Sequence, residues 1–359
     1  MRDFSAEEGL LFIMSEATGP IEGYYIESVE GLFFAVKGLF HPPEVVVAYL
    51  RYVLDPLGER KKKGLRYRRV YHFEEQERLL REKYPAYLFS DLILGGQLQG
   101  VSHQRIRQIY DPCLKPAELR SRENLDEVEK NALEFTELLR DTAGVSKRCL
   151  GISGSILLGL HIPQSDIDVV VYGVDNCWAV HKTLRRMLAE PSSGVEKLNR
   201  RELEELYTFR SQDTPMPFQD FLRLERRKVI QGKFQSRGYF IRFIKTPSEV
   251  GERYGDRRCT CLGLARVEAT VTDAKEAIFT PCTYGIDDVK FIEGKEVSTL
   301  KELSSFRGRF CEQAKEGERI AAHGKLERVS LKDGSVYHRL LIGKPGSGIV
   351  VRSSQVDDL

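Results

Sequence analysis

The stretch at residues 150–173, LGISGSILLGLHIPQSDIDVVVYG, decides the fold of the central part of this chain. Two short apolar runs, residues 148–152 and 167–172, have the length and composition of buried strands. Residues 156–160 between them predict a short helix, and residues 177–188 predict a longer one. The order strand, helix, strand, helix predicts an α/β core.

Two carboxylates stand at the start of the second strand, in Asp166-Ile167-Asp168. Because side chains alternate along a strand, Ile167 is expected to enter the core while Asp166 and Asp168 project together. Two adjacent carboxylates repel each other unless a cation lies between them. Mg²⁺ prefers carboxylate, water and phosphate oxygens, so the pair predicts a magnesium site, with Mn²⁺ as the alternative ion.

A glycine-containing loop, residues 151–155 (GISGS), precedes this pair at the predicted junction of strand and helix. Glycine at such a junction lets a phosphate approach the backbone, and a helix N-terminus offers free N–H groups to it. The hydroxyl of Ser155 adds a donor. The loop would thus hold the phosphates, and the two carboxylates would hold the metal ion of those phosphates. Nucleotidyl transfer requires both functions.

Gly154-Ser155, a gap of ten residues, and then Asp166-Ile167-Asp168 between apolar residues resemble the signature of the DNA polymerase beta superfamily of nucleotidyltransferases. The resemblance implies that Gly154 and Ser155 contact a nucleoside triphosphate. It also implies that Asp166 and Asp168 bind two magnesium ions for an in-line attack. The competing interpretation is a chance Gly-Ser turn followed by a strand with an acidic edge.

The superfamily also has a third carboxylate on a later strand, and this chain departs from that pattern. The strand expected there, residues 239–245, offers Arg242 and Lys245 as its polar positions and no acid. Either Glu268 takes the role, or the second metal site is weak, or the chain binds nucleotides without transferring them. Glu268 could equally be a paired charge at a strand edge. Arg242 and Lys245 are predicted to bind the triphosphate, with an ion pair to Asp166 or Asp168 as the alternative for Arg242.

Three domains are predicted, an N-terminal α+β domain (1–116), a nucleotidyltransferase domain (117–250) and a β-rich, OB-like domain (251–359). In the first, apolar runs near residues 24–53 predict an antiparallel sheet, and residues 103–110 predict a helix. A long helix over residues 116–139, ended by Gly144, opens the second. In the third, Lys332-Asp333-Gly334-Ser335 predicts a hairpin between two strands.

The fold class is therefore an α/β nucleotidyltransferase core, a small mixed sheet with helices, between the two flanking domains. The wider arrangement, including residues 41–53 (HPPEVVVAYLRYV), 239–245 and 305–310, resembles an archaeal family of predicted nucleotidyltransferases. That resemblance supports the class and leaves the substrate open.

Composition excludes few partners, because 55 basic and 53 acidic residues give a net charge of only +2. The N-terminus lacks a secretory pattern, and no apolar run approaches the roughly 20 residues of a membrane span. The protein is expected to be cytoplasmic, without a membrane partner and with its seven cysteines reduced. The basic segments at residues 58–69 and 307–309 either contact a nucleic acid or are solvated surface.

These features predict a magnesium-dependent enzyme that moves a nucleoside monophosphate from a nucleoside triphosphate to a hydroxyl, with RNA or DNA ends as the first candidate acceptors. A protein that binds nucleotides and nucleic acid without turnover is the alternative from another class. An enzyme that nucleotidylates a protein or a small molecule is the third possibility.

Overall fold

The computed structural model describes residues 19–351, which form three β-sheets with helices packed against them. The architecture is mixed α/β and has multiple domains. The sheets span residues 25–110, 150–244 and 257–351 in chain order. None of the helices in this part of the chain is long and apolar enough to cross a membrane.

The first sheet contains the strands β1 (Tyr25–Ser28), β2 (Phe33–Val36), β3 (Val45–Leu54), β4 (Arg60–Lys62), β5 (Leu65–Arg69), β6 (Leu88–Asp91), β7 (Gly96–Ser102) and β8 (Ile106–Tyr110). Their order is β4-β5-β3-β2-β1-β8, and β7 pairs with both β3 and β6. All the pairings are antiparallel, which confirms the predicted antiparallel sheet.

The two faces of this sheet differ in chemistry. Helix α1 (Phe73–Lys83) covers one face, where Leu80 packs with Ile26, Phe34 and Leu50. The opposite face is aromatic and basic. It carries Tyr25, Phe33, Tyr52 and Tyr67, which pack against Leu157, Leu158 and Leu160 of the second domain.

The helix predicted for residues 103–110 is wrong. These residues form a single 3₁₀ turn, His103–Arg105, followed by strand β8. Tyr110, Ile109 and Gln108 pair with Tyr25, Ile26 and Glu27 of β1. Pairing with the open edge of β1 and the β-branched Ile106 and Ile109 favour the strand, because tertiary pairing overrides weak local propensity.

The second sheet contains β9 (Leu150–Ile152), β10 (Ile167–Tyr172), β11 (Val195–Glu196), β12 (Gln231–Phe234) and β13 (Arg237–Ile244). Their order is β11-β12-β13-β10-β9, with β10 and β13 parallel and the other neighbours antiparallel. The helices here are α2 (Lys115–Arg120), α3 (Glu127–Ala143), α4 (Gly154–Leu158), α5 (Val174–Met187), α6 (Arg200–Arg210), α7 (Phe218–Glu225) and α8 (Pro247–Val250).

The long helix predicted for residues 116–139 is two helices, α2 and α3. The chain leaves the first at Ser121 and begins the second at Asp126, whose carboxylate accepts a hydrogen bond from the Glu129 backbone N–H at 2.9 Å. This capping box starts a new helix rather than continuing the old one. Gly144 ends α3 in the left-handed conformation (φ 67°), which confirms that part of the prediction.

Helices α3 and α5 bury one face of the second sheet. Phe135 of α3 and Leu184 of α5 pack in one core with Val169, Ile241 and Phe243. The other face is turned toward the first domain, because the alternating positions Asp168, Val170, Phe240 and Arg242 point that way. Ser153 fixes the two domains together by donating its hydroxyl to the Gly23 carbonyl at 2.7 Å.

The third sheet contains β14 (Arg257–Asp273), β15 (Cys282–Glu293), β16 (Leu300–Ser305), β17 (Arg319–Leu331), β18 (Val336–Leu341) and β19 (Gly348–Val351). Their order in the sheet is β14-β15-β16-β18-β17-β19. A further pairing of β14 with β17 closes the five strands from β14 to β17 in this order into a barrel. Strands β16 and β18 are parallel. The hairpin predicted at residues 332–335 joins β17 and β18.

Part of the basic segment at residues 58–69 has a structural role. Arg60 is buried and donates to the Leu160 carbonyl at 2.7 Å, and Lys62 donates to the Leu158 carbonyl. Both cations therefore satisfy carbonyls at the C-terminal end of α4, where positive charge is favourable. Arg69, at the end of β5, points elsewhere and is described below.

Candidate functional site

The two carboxylates of the sequence motif lie together on one face of the second sheet. Strand β10 is rich in β-branched residues (IDVVVY), and its alternation buries Ile167, Val169 and Val171 completely. Asp166 is exposed just before the strand and Asp168 is half-buried on it. Arg237 holds the preceding loop by donating to the Pro163 and Ser165 carbonyls at 2.7 and 3.1 Å.

Each carboxylate lies directly over a glycine. A Cβ atom added at Gly154 would be 2.0 Å from Oδ2 of Asp168, and one added at Gly238 would be 2.6 Å from Oδ1 of Asp166. Gly154 also has a left-handed φ of 63°, which side chains other than that of glycine rarely adopt. The space above these glycines is therefore filled by the two carboxylates, so the glycines determine where the anionic oxygens stand.

The helix that follows the glycine loop is as short as predicted, but it lies at residues 154–158 instead of 156–160. Helix α4 has only five residues, so its dipole is small. Ser155 lies in this helix and is buried, with 9% of its surface exposed. Gly154 and Ser155 are thus beside the carboxylates, but the argument for an anion site here depends on the surrounding cations rather than on the helix.

The carboxylate pair is electrostatically unfavourable without a cation. Although the Asp166 side chain reaches solvent, the protein atoms around it desolvate the carboxyl and raise its pKa, and the nearby Asp168 raises it further. Arg69, Arg237 and Arg210 act in the opposite direction. Two neighbouring carboxylates form the donor set that a hard divalent cation stabilises, so the residues present fit such an ion.

The neighbouring strand β13 carries no acid on this face. The positions that share the face with the two carboxylates are Gly238, Phe240 and Arg242. The Arg242 guanidinium is 3.4 Å from Oδ1 of Asp168, and it stacks on the Phe240 ring with Cζ 5.4 Å from the centroid. Arg242 is therefore at the site, and one of its partners is a carboxylate of the pair.

Two other predicted site residues lie elsewhere. Lys245 follows the last residue of β13; its ammonium group pairs with Glu276 and lies 5.1 Å from the Phe279 ring centroid. Glu268 is on β14 of the third sheet, opposite Ala321 of β17. Its neighbours Val267 and Ala269 are buried in the barrel core, so alternation puts Glu268 on the outer face. The structure brings neither residue to the carboxylate pair by a described contact.

Residues of the first domain complete the site, and among them only Arg69 lies in a segment that the sequence had singled out as a possible nucleic-acid contact, the basic segment at residues 58–69. Tyr25 and Tyr52 are buried on the aromatic face of the first sheet, where the Asp168 charge contributes to the raised pKa of both phenols after burial, the main cause. Arg69 is close enough for Asp166 and Asp168 to interact with it electrostatically. Strand alternation could have assigned Tyr25, Tyr52 and Arg69 to one face of the first sheet. It could not have predicted which part of the protein that face contacts.

A second group of potential metal ligands lies at the start of α3. Oxygen atoms of Asp126 and Glu129 and a ring nitrogen of His161 all lie within 4.8 Å of one another. Each already has a protein partner: His161 Nε2 is 2.7 Å from Asp126, and Glu129 accepts from Arg122 at 2.5 and 3.0 Å. A helix cap with its ion pairs accounts for these contacts, and among the described residues only the buried Nδ1 of His161 in this group is left without a hydrogen-bond partner.

Gly238 provides a test of the carboxylate geometry that avoids backbone strain. Replacing Gly238 with alanine is expected to weaken binding of Mn²⁺ about tenfold to a hundredfold, because the new methyl group displaces the Asp166 carboxylate. The free energy of unfolding should change by less than about 1 kcal/mol, since the clash involves the end of a mobile side chain. Metal titration and denaturant unfolding measure the two effects.

Gly348→Ala is the matched control, because its Cβ would meet only a Thr214 methyl group at 3.6 Å. Unchanged Mn²⁺ affinity in Gly238→Ala, or an equal loss in Gly348→Ala, would show that Asp166 does not depend on this glycine.

Comparison with known proteins gives one informative match. The chain is 30% identical over 329 residues to the uncharacterized protein MJ1086 of the archaeon Methanocaldococcus jannaschii, covering 89% of this chain and 94% of that protein. No model of a known protein family matches the chain, and no solved structure matches it.

Proposed function

We propose that this chain, which belongs to the same family as the uncharacterized M. jannaschii protein, is a metal-dependent nucleotidyltransferase. It transfers a nucleoside monophosphate from a nucleoside triphosphate to a hydroxyl group of RNA or DNA and releases pyrophosphate. The observation that carries this proposal is the pair Asp166–Asp168, held over Gly154 and Gly238 near Arg69, Arg237 and Arg242. We call the space that these residues border the cleft.

The arrangement of strands supports the resemblance to the DNA polymerase beta superfamily. Strand β9, helix α4 and strand β10 place Gly154 against Asp168, as the sequence signature requires. β10 then has an antiparallel neighbour on one side and a parallel neighbour on the other. This small mixed sheet is compatible with a nucleotidyltransferase core.

The barrel supports a polyanionic acceptor. Its five strands close in the order β14-β15-β16-β18-β17, with β16 and β18 parallel. A small five-stranded barrel is the architecture of OB folds, which bind oligonucleotides and oligosaccharides. An OB-like module next to the cleft would suit an enzyme that acts on a nucleic-acid end.

Asp166 and Asp168 would hold Mg²⁺, or Mn²⁺ in its place. When bound, such an ion neutralises triphosphate oxygens and makes the attacking hydroxyl more acidic. The residues of this chain position the reactants. The two carboxylates would hold the ion in place, and Arg242 balances the negative charge on Asp168.

A second candidate function is nucleotide binding without transfer, and Arg242 is the observation that favours it. The face of β13 next to the carboxylates carries Gly238, Phe240 and Arg242 where the superfamily has an acid. Without a third carboxylate, deprotonation of the acceptor hydroxyl depends on another group. Glu268 remains a prediction for that role, and Lys245 remains one for triphosphate binding.

A transfer assay separates these functions. The protein is incubated with each nucleoside triphosphate labelled at the α-phosphate, with Mg²⁺ or Mn²⁺, and with RNA, DNA or protein as acceptor. Transfer of label to RNA or DNA, and not to a version whose terminal hydroxyls are blocked, is expected. Label on protein alone would redirect the proposal to protein nucleotidylation. Bound triphosphate with no transfer to any acceptor would contradict enzymatic turnover and favour the binding protein.

A further inference from the structure

Tyr71 stands at the centre of a group of arginines opposite the carboxylate pair. It follows β5 by two residues, and two guanidinium groups of the first domain lie over its ring. Cζ of Arg51 is 5.4 Å and Cζ of Arg69 is 5.1 Å from the ring centroid. Phe209 packs against Tyr71 edge-on, with the ring centroids 4.4 Å apart.

Arginines from the other two domains complete the group. Burial alone would raise the pKa of the Tyr71 phenol, but Arg309, Arg51, Arg210 and Arg69 outweigh burial and lower it. Arg309 belongs to the turn after β16 and donates to the Arg210 carbonyl at 3.4 Å and to the Thr214 hydroxyl. Arg210 ends helix α6. Arg307 also interacts electrostatically with Tyr71. We call this group the Tyr71 arginine cluster; it consists of Arg51, Arg69, Arg210, Arg307 and Arg309.

The turn that carries Arg307 and Arg309 lies directly on the catalytic face. A Cβ at Gly308, between them, would be 2.7 Å from the ring of Phe240, and Phe240 is the β13 partner of Asp168. Only a glycine allows this approach. The cluster and the carboxylate pair therefore line the same cleft, with Arg69 acting electrostatically on both carboxylates.

The protein itself only partly neutralises the cluster. Asp213 pairs with Arg307 at 2.7 Å and also with Arg309, and Glu225 pairs with Arg210 at 2.8 Å. Within residues 19–351, Arg51 and Arg69 make no ion pair at 4.0 Å or less, and their guanidinium groups lie over the Tyr71 ring. Arg51 and Arg69 thus have no carboxylate partner, and Arg307 and Arg309 share Asp213. The cleft therefore has an excess of positive charge.

We propose that the Tyr71 arginine cluster binds the β- and γ-phosphates of the nucleoside triphosphate, and so holds the pyrophosphate that leaves. This inference rests on the proposed function and names the phosphate subsite of the same cleft. Guanidinium groups bind phosphate oxygens bidentately, and several of them converge here from three domains. The triphosphate would then lie between the metal ligands of the second domain and the arginines of the first and third.

Convergence favours a compact polyphosphate over a nucleic-acid backbone. A backbone needs cations spaced along an extended groove, one for each phosphate. Here five guanidinium groups are gathered around one phenol, and the carboxylates Asp213 and Glu225 orient three of them. The ligand class that fits is a short, highly charged anion such as pyrophosphate.

Calorimetric titration with inorganic pyrophosphate in EDTA tests this subsite without metal or turnover. Wild-type protein is expected to bind pyrophosphate at least about tenfold more tightly than orthophosphate, because two phosphates engage more guanidinium groups. The double substitution Arg51→Ala/Arg69→Ala should weaken pyrophosphate binding at least about tenfold. Arg51→Lys/Arg69→Lys keeps the charge and should give an intermediate loss, because lysine lacks the bidentate fork.

Arg78→Ala/Arg81→Ala is the matched control. It removes two exposed arginines of α1, which covers the opposite face of the same sheet, and pyrophosphate affinity should not change. Pyrophosphate binding that is absent from the wild type, unchanged in Arg51→Ala/Arg69→Ala or equally reduced in the control would overturn the proposal. So would variants that keep pyrophosphate affinity and lose affinity for RNA.

The two proposals can fail separately. If no acceptor receives a nucleotide but pyrophosphate binding still requires Arg51 and Arg69, the proposed transfer is wrong and the phosphate subsite stands. If transfer occurs and the double variant binds pyrophosphate normally, the subsite is wrong and the enzyme stands. Should Arg51→Ala/Arg69→Ala fail to fold, the lysine variant carries the test.

Discussion

Replacing Asp168 with alanine is expected to lower the rate of pyrophosphate release at least about a thousandfold, and Asp166→Ala should do the same. Phosphoryl and nucleotidyl transfer depend mainly on positioning and on neutralising charge, and these two carboxylates are the metal ligands that we propose. Asp168 also balances the charge of Arg242 at 3.4 Å, so its loss leaves that cation free to bind triphosphate unproductively.

The measurement is a coupled pyrophosphate assay at saturating triphosphate and acceptor. Asp175→Ala is the control, because Asp175 is an exposed acid in the first turn of α5 on the same domain. Its rate should stay near that of the wild type. A rate in Asp166→Ala or Asp168→Ala within about tenfold of the wild type would contradict a metal-ligand role, since loss of a metal site affects the transition state directly.

Gly154→Ala is expected to have the second largest effect, on both stability and function. The methyl group would be 2.0 Å from Oδ2 of Asp168, and the backbone at φ 63° already disfavours alanine. The strained conformation alone costs about 1–2 kcal/mol, and displacement of the half-buried carboxylate adds to it. The free energy of unfolding should fall by about 2 kcal/mol or more, and metal-dependent triphosphate binding should be lost.

Gly159→Ala separates strain from displacement of the carboxylate. Gly159 has nearly the same backbone conformation (φ 64°), but a Cβ there would meet no atom within 4 Å. Denaturant unfolding should therefore show a loss in both variants, and triphosphate binding should be lost only in Gly154→Ala. Equal binding in the two variants would mean that Gly154 serves the turn and not the position of Asp168.

Local periodicity predicted the elements around the site but not the contacts between domains. The apolar run of β10 and the alternation of Asp166, Ile167 and Asp168 were sufficient to place both carboxylates on one face. The end of α3 at Gly144 and the hairpin at residues 332–335 were likewise signalled by short-range turn chemistry. In each of these cases the deciding interactions lie within a few residues of one another.

The residues that line the cleft could not be derived in this way. The fold brings together residues from three domains, namely Arg51, Tyr71, Arg210 and Arg309. They are far apart in the sequence, so no local sequence pattern predicts that they meet. The basic segment at residues 58–69 shows the same limitation, because Arg60 and Lys62 bind carbonyls of α4 while Arg69 enters the cleft. Charge density along the sequence does not distinguish these roles.

The role of glycine illustrates a further limit. The sequence assigned Gly154 to close approach of a phosphate, whereas the atom that approaches it is a carboxylate oxygen of Asp168. Gly238 has the same relation to Asp166 and carried no signal, because its partner is on another strand. The motif predicted that some group would approach Gly154 closely, but only the fold shows that this group is the Asp168 carboxylate.

The most direct test of the central claim is an electron paramagnetic resonance titration with Mn²⁺ in the presence of a non-hydrolysable triphosphate. The wild type is expected to bind Mn²⁺ with the triphosphate, and Asp166→Asn/Asp168→Asn should lose this binding. Asp126→Asn/Glu129→Gln, which alters the other candidate metal ligands while keeping the α3 cap, should retain it. Mn²⁺ binding that survives in the first variant and disappears in the second would contradict the assignment of Asp166 and Asp168 as the metal site.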